Sequence, residues 1–162
     1  MKRLLLFLLC STFFFLTVAT PAQAASPVRN SRVVSDYVET LEDGSYFHVT
    51  ISENTATTFS RSIQTKSGSR IVTYHVADGA AAWQFTLNGT FRFTPGVSSS
   101  CSSSSYSISI YDSSWENTSA SSSTSGNQAI GNATFIKKVL FITTQTENVS
   151  VSLACDSYGN LY

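Results

Sequence analysis

Reactive side chains are scarce in this 162-residue chain. It holds two histidines, three cysteines and three prolines, and only 12% of its residues are charged. Two histidines leave little material for imidazole-based catalysis. There is no Gly-x-Ser-x-Gly elbow, no His-Glu-x-x-His pair and no dense Asp-x-Asp loop for calcium. Basic and acidic residues balance at 10 each, with no block of either sign, which excludes the footprint of a nucleic-acid binder. Few prolines exclude a Pro-rich extended linker. No apolar run beyond residue 18 is long enough to cross a membrane as a helix. No cofactor fingerprint is present, so none is expected.

What is present begins with an export pattern. Lys2 and Arg3 precede the apolar run Leu4 to Val18, and Ala22-Gln23-Ala24 has the small-x-small form of a signal-peptidase site. The predicted organisation is a signal peptide over 1–24, a flexible leader over 25–32 and a single domain over 33–162, secreted and extracellular. A lipoprotein anchor at Cys10 fits less well, because Leu9 before it is bulky and cleavage would cut the apolar run. Without Lys2 and Arg3 the mature chain has 8 basic and 10 acidic residues, a net charge of −2. Ser and Thr form about a third of it, as in exported β-proteins whose solvent faces carry hydroxyls rather than ions. Cys101 and Cys155 are its sole cysteines, and in an oxidising compartment they are expected to form one buried disulfide.

The strongest periodic signal is Trp83 to Phe93. Trp83, Phe85, Leu87, Gly89, Phe91 and Phe93 alternate with Gln84, Thr86, Asn88, Thr90 and Arg92, the pattern of a strand with one buried face. Its length predicts a bulge or bend near Gly89. Glu42-Asp43-Gly44 predicts a hairpin between Val33–Leu41 and Tyr46–Ser52, and Asp78-Gly79 a turn after the strand Arg70 to Ala77. Residues 54–68 read as a long connection with room for a short edge strand, and Ser98 to Ser105 as a polar run around Cys101. Tyr106, Ile108 and Ile110 alternate inward, Ser125-Gly126-Asn127 turns the chain, Lys137-Lys138 interrupts the strand that follows, and Val149 to Cys155 closes the series. Short strands between turn signals, with no helical period, predict an all-β, antiparallel β-sandwich, immunoglobulin-like in general shape, with a small barrel as the alternative.

With these residues in view the chain resembles a large group of uncharacterised secreted proteins of gut Firmicutes. The resemblance rests on Asp43-Gly44-Ser45-Tyr46, Thr65-Lys66-Ser67-Gly68-Ser69-Arg70, Trp83, Gly89-Thr90-Phe91, Cys101, Ser114-Trp115, Ser125-Gly126-Asn127, Leu153-Ala154-Cys155 and Gly159-Asn160-Leu161. The triplet Ala80-Ala81-Ala82 departs from it, since a large aliphatic residue is more usual before the Trp. The resemblance implies export, a compact bacterial β-domain and one disulfide. It implies no activity and carries over no functional residue.

Candidate sites are therefore read from the residues alone. His48 and His75 fall on the outward parity of their strands and read as surface groups. Glu39, Glu42 and Asp43, and the pair Asp112 and Glu116, read as turn-forming and solubilising acids rather than a glycosidase pair. Trp83 belongs to the core. Trp115, set in the polar stretch Asp112 to Asn117, and Tyr111 beside it are the candidate ligand-binding residues, as a platform for a glycan or cell-envelope component; the competing reading packs Trp115 on the disulfide. Sequons at Asn88, Asn117, Asn132 and Asn148 arise readily in so Ser/Thr-rich a chain. The expected protein is a non-enzymatic secreted binding or envelope-associated domain, a monomer without membrane contact after cleavage. A secreted antagonist, toxin or inhibitor on the same scaffold is the second reading and a hydrolase with an unrecognised site the third. A protruding basic or hydrophobic loop would favour the antagonist, an exposed aromatic platform the binder, and a cleft of converging acids the enzyme.

Overall fold

The computed structural model describes residues 31–54 and 63–162. The segment expected to be a signal peptide, 1–24, and residues 25–30 of the expected leader lie outside the described residues. Eight strands account for most of the described chain: β1 (Ser31–Thr40), β2 (Tyr46–Asn54), β3 (Gln64–His75), β4 (Ala81–Thr94), β5 (Ser98–Ile110), β6 (Trp115–Ser125), β7 (Gln128–Val139) and β8 (Ile142–Ala154). They form two antiparallel sheets, a five-stranded one ordered β1-β2-β3-β4-β5 and a three-stranded one ordered β6-β7-β8. The expected sandwich is therefore observed, and within each sheet the connectivity is a meander in which strands adjacent in sequence pair, the chain crossing from one sheet to the other between β5 and β6.

Strand β4 is the centre of the core, as its alternation predicts. Trp83, Phe85, Leu87 and Phe91 are completely buried, and each such side chain contributes about 2–3 kcal/mol by leaving water. Trp83 stacks face to face on Phe135 of β7, with ring centroids 3.9 Å apart, and on Tyr74 of β3 at 5.3 Å. The three-stranded sheet meets this wall of rings with small residues, Ala129, Gly131 and Ala133 alternating on the inner face of β7. A Cβ at Gly131 would come within 2.8 Å of the Phe85 ring, so only glycine lets the sheets approach this closely.

The two sheets meet along β5 and β6, where the Tyr106 hydroxyl donates to Ala120 O (3.2 Å) and the Cys101 amide to Gly126 O (2.8 Å). The opposite side is open, because β1 and β8 do not pair. There Arg70 spans the gap, donating through Nη1 to Ser152 O (2.7 Å) and through Nη2 to the Tyr37 hydroxyl (2.6 Å). Glu53, at an inward position of β2, is buried and held by ion pairs to Arg32 (2.9 Å) and Lys66 (2.5 Å). Uncompensated, such a carboxylate would oppose folding.

Several sequence expectations are corrected. Strand β3 starts at Gln64, inside the segment read as a connection; residues 55–62 of that segment lie outside the described residues. The serine run is part of strand β5, ordered by its pairing with β4 from Ser98 to Ile110 and not by a disulfide at Cys101. The bulge lies one rung from Gly89 and on β5, where Ser102 is the extra residue and its hydroxyl donates to Thr90 O (2.9 Å). Lys137 and Lys138 do not interrupt β7, which continues to Val139.

The disulfide expected between Cys101 and Cys155 is not formed: both are free thiols. The two strands share the β6–β7 turn as a common neighbour, with the Cys101 amide on Gly126 O and the Cys155 amide on Asn127 O (3.1 Å). Each thiol turns back on its own strand, Cys101 Sγ donating to Ser103 O (3.3 Å) and Cys155 Sγ to Asp156 O (3.4 Å). Counting cysteines established that a partner existed, not that the Cβ atoms would meet.

Candidate functional site

One end of the sandwich gathers the turns β1–β2, β3–β4, β5–β6 and β7–β8, and the expected ligand-binding residues lie there. Trp115 is not exposed. Only 3% of it is accessible, and it meets Tyr74 and Trp83 edge-on, at 5.3 and 6.3 Å between ring centroids. The packed alternative therefore holds over the exposed platform, and the polar residues before Trp115 form a turn: the Ser114 amide donates to Asp112 Oδ1 (2.8 Å) and the Trp115 amide to Asp112 O (3.0 Å). Trp115 is thus the first inward residue of β6, and it covers an aromatic cluster rather than a disulfide. Tyr111 is 55% exposed, with its hydroxyl donating to Gln84 Oε1 (3.0 Å). The two residues are not brought together, and the glycan platform built on Trp115 is withdrawn.

The titratable groups have structural partners. His48 Nε2 lies 2.5 Å from Asp36 Oδ1, which also accepts from the Thr50 hydroxyl (3.2 Å). Thr50 therefore gives its proton to the acid and not to the imidazole, which is not a nucleophile–base arrangement. His75 stacks on Tyr46 at 4.6 Å and donates from Nδ1 to Gly79 O (2.9 Å). The Ser45 hydroxyl and amide hold the Asp43 carboxyl below its ordinary value, and the Ser114 amide does the same for Asp112. Glu116 pairs with Lys138 at 2.5 Å. No group of three or more potential metal ligands occurs among the described residues.

The unexpected feature is the tip of the β7–β8 hairpin. Strand β6 pairs with β7 only as far as Trp115 opposite Lys137, so the last residues of β7 and the first of β8 run on without a third strand. The ladder closes at Val139 opposite Ile142, leaving a two-residue turn of Leu140 and Phe141. Both turn residues have positive φ, 49° and 70°, where Asn-Gly is the favoured pair. The turns β1–β2, β3–β4, β4–β5 and β6–β7 place a glycine at positive φ, at Gly44, Gly79, Gly96 and Gly126. A leucine and a phenylalanine in this conformation cost about 1–2 kcal/mol each.

That strain holds apolar side chains in water. Leu140 is 86% and Phe141 97% exposed, flanked by exposed Val139 and Ile142. A bulge at Thr144, whose hydroxyl donates to Lys137 O (3.3 Å), sits at the base of the projection. Sequence reasoning missed the tip because an apolar run without Gly, Pro, Asn or Asp looks like a buried strand. The available signal was length: from Gln128 to Ala154 the strand pattern is too long for one strand, so a turn had to fall among apolar residues. No family model, curated protein or solved structure matches this chain.

Proposed function

We propose that this is a secreted, non-enzymatic binding protein that engages its target by inserting the Leu140–Phe141 tip, in the manner of a small antagonist on a rigid β-scaffold. The observation that carries this reading is a four-residue apolar tip held exposed on a strained turn. Folding alone would favour Asn-Gly there, and solubility would favour polar residues, so both selections are opposed by the residues present. Export rests on the charged, apolar and small-residue pattern of the N-terminus, and the resemblance to the secreted group of gut bacteria belongs with this reading. A protruding apolar loop favours the antagonist over the envelope-associated module, and the burial of Trp115 removes the main support for a glycan platform.

The test is site-directed photocrosslinking on intact cells, with the photoreactive residue at position 141 or, as a control, at Thr86 on the outer face of β4. Crosslinking from position 141 alone, competed by excess wild-type protein but not by a Leu140→Asp/Phe141→Asp variant with unchanged Tm, supports the proposal. Equal labelling from both positions, or competition by the variant, overturns it.

A further inference from the structure

The two sheets are unequal, and on the open side the larger one runs past the smaller. Strand β8 packs over β3 and β4, so the inner faces of β1 and β2 extend beyond it. They carry Tyr37, Glu39, Phe47 and Val49, which with Val149 and Val151 of β8 and with Arg70 line a groove of about 180 Å³. That volume is below the roughly 300–1,000 Å³ of a pocket that encloses a small ligand. It has room instead for side chains of a strand whose backbone lies along the rim.

The rim is a free backbone edge. The Cys155 amide bonds Asn127 O, so the odd-numbered residues of β8 from Gln145 onward pair with β7. The even-numbered ones face away: Ala154 exchanges two amide hydrogen bonds with Tyr162 (2.9 and 3.1 Å), and Ser152 O accepts from Arg70. Beyond these, Ser150, Asn148 and Thr146 present their amides and carbonyls with no backbone partner among the described residues. Lysine, proline or a bulge ordinarily guards such an edge. From Gln145 to Ala154 there is no Lys or Pro, and the bulge at Thr144 lies outside the stretch.

We propose that this groove binds an extended peptide segment of another protein, which adds as a fourth strand to the β6-β7-β8 sheet, antiparallel to β8. Its inward side chains then rest on Tyr37, Phe47 and Val49. A row of unpaired amides and carbonyls spaced for a ladder is satisfied in full only by another extended backbone. The chain's own carboxyl-terminal segment already makes the first antiparallel rungs on this edge, at Cys155 with Leu161 and Ala154 with Tyr162. Charge sets the partner's side chains. Toward Ser152, Arg70 leaves its Nε buried without an acceptor. Toward the opposite end, Glu39 and the inward Glu147 have no cation partner among the described residues. The fitting strand therefore has an acid at its amino end, alternating apolar residues, and a lysine near its carboxyl end. The groove is separate from the Leu140–Phe141 tip, and neither proposal needs the other.

The probe is the heptapeptide acetyl-Asp-Val-Thr-Val-Thr-Lys-Thr-amide, titrated to about 5 mM into the isotope-labelled protein and followed by amide chemical shift. The amides of Thr146, Asn148 and Ser150 should move downfield as they gain acceptors. The interleaved Glu147, Val149 and Val151, already bonded to β7, and the tip residues Leu140 and Phe141 should stay nearly still. Ser150→Pro removes an amide that β7 does not use, and should abolish binding with little change in Tm. Glu39→Lys, at an exposed side chain, should weaken binding about threefold and turn the preference toward the same peptide with Asp and Lys exchanged. Absence of the alternating shifts, undiminished binding to Ser150→Pro, or indifference to the charge exchange overturns the proposal. So does a dimer of the protein alone that Ser150→Pro abolishes, which would give the edge to a second copy. Crosslinking from position 141 reads a different surface, so failure there leaves these shifts in place, and the reverse.

Discussion

At the scale of single residues, Trp115 shows how burial and hydrogen bonding separate. Its ring is buried against Tyr74 and Trp83, but its indole Nε1 has no acceptor within reach. Trp115→Ala should therefore cost about 3–5 kcal/mol in denaturant melts, as for any large core residue. Trp115→Phe, which gives up volume but no hydrogen bond, should cost only about 1–2 kcal/mol. Equal losses would mean that the indole N–H has a partner. The cysteines make a second contrast. Cys155 is fully buried and Cys101 half-buried, and burial pushes both thiols up. In the folded protein Cys101 should react with iodoacetamide more slowly than a free thiol, and Cys155 only on unfolding. Mass spectrometry of native and denatured samples reads both rates, and failure of either cysteine to react even when denatured would restore the bridge.

Among elements, the β7–β8 turn sets stability against exposure. Replacing Leu140 with Asn and Phe141 with Gly gives the pair this backbone prefers. The variant should be more stable by about 1–2 kcal/mol and, on the proposed reading, should no longer bind. A melt showing no gain would mean that the positive φ angles carry no strain. Legibility followed the same boundary. β4 was readable because its alternation reports a single fact, which face is covered, and the first hairpin because Asp43-Gly44 names its own turn. β3 was cut short because Gln64 to Arg70 is too hydroxylated to show a period, although Gly68 within it is buried. Trp115 was left between a platform and a packed ring, the packed ring favoured, because side chains that fold a turn are the same ones that line a polar surface. Glu53 went unnoticed, since only the assembled sheet brings Arg32 and Lys66 to it. An open cleft between the β3–β4 and β5–β6 turns was beyond reach for a related reason: those two turns and Lys137 of β7, distant in sequence, must meet before it exists.

For the molecule as a whole, acids at turns set the response to pH. Hydrogen bonds depress the carboxyls of Asp43 and Asp112. At Asp156 desolvation pushes upward but is outweighed by hydrogen bonds from Asn160, Tyr158 and Gly159. A carboxyl whose folded value lies below its unfolded one adds stability above the unfolded value, and that stability is lost as pH falls through the folded one. The Tm should therefore be flat from neutral pH to about 5 and fall steadily below about 4, with a shallower fall in Asp112→Asn. A Tm that rose on acidification would contradict these shifts.

The meander gives the chain an order of assembly. Each strand of the larger sheet finds its partner in the next stretch delivered, so a chain emerging amino end first can lay down β1 to β5 hairpin by hairpin without waiting for distant sequence. The sheet so made is unfinished. Until β7 arrives with Phe135, the rings of Trp83 and Phe85 and the side chain of Leu87 have no second layer, and a chain stalled after Ile110 would present them to whatever stands nearby. The last third of the polypeptide thus acts toward the first two-thirds as a built-in chaperone, and the interval before it arrives is when the nascent protein is most exposed to aggregation.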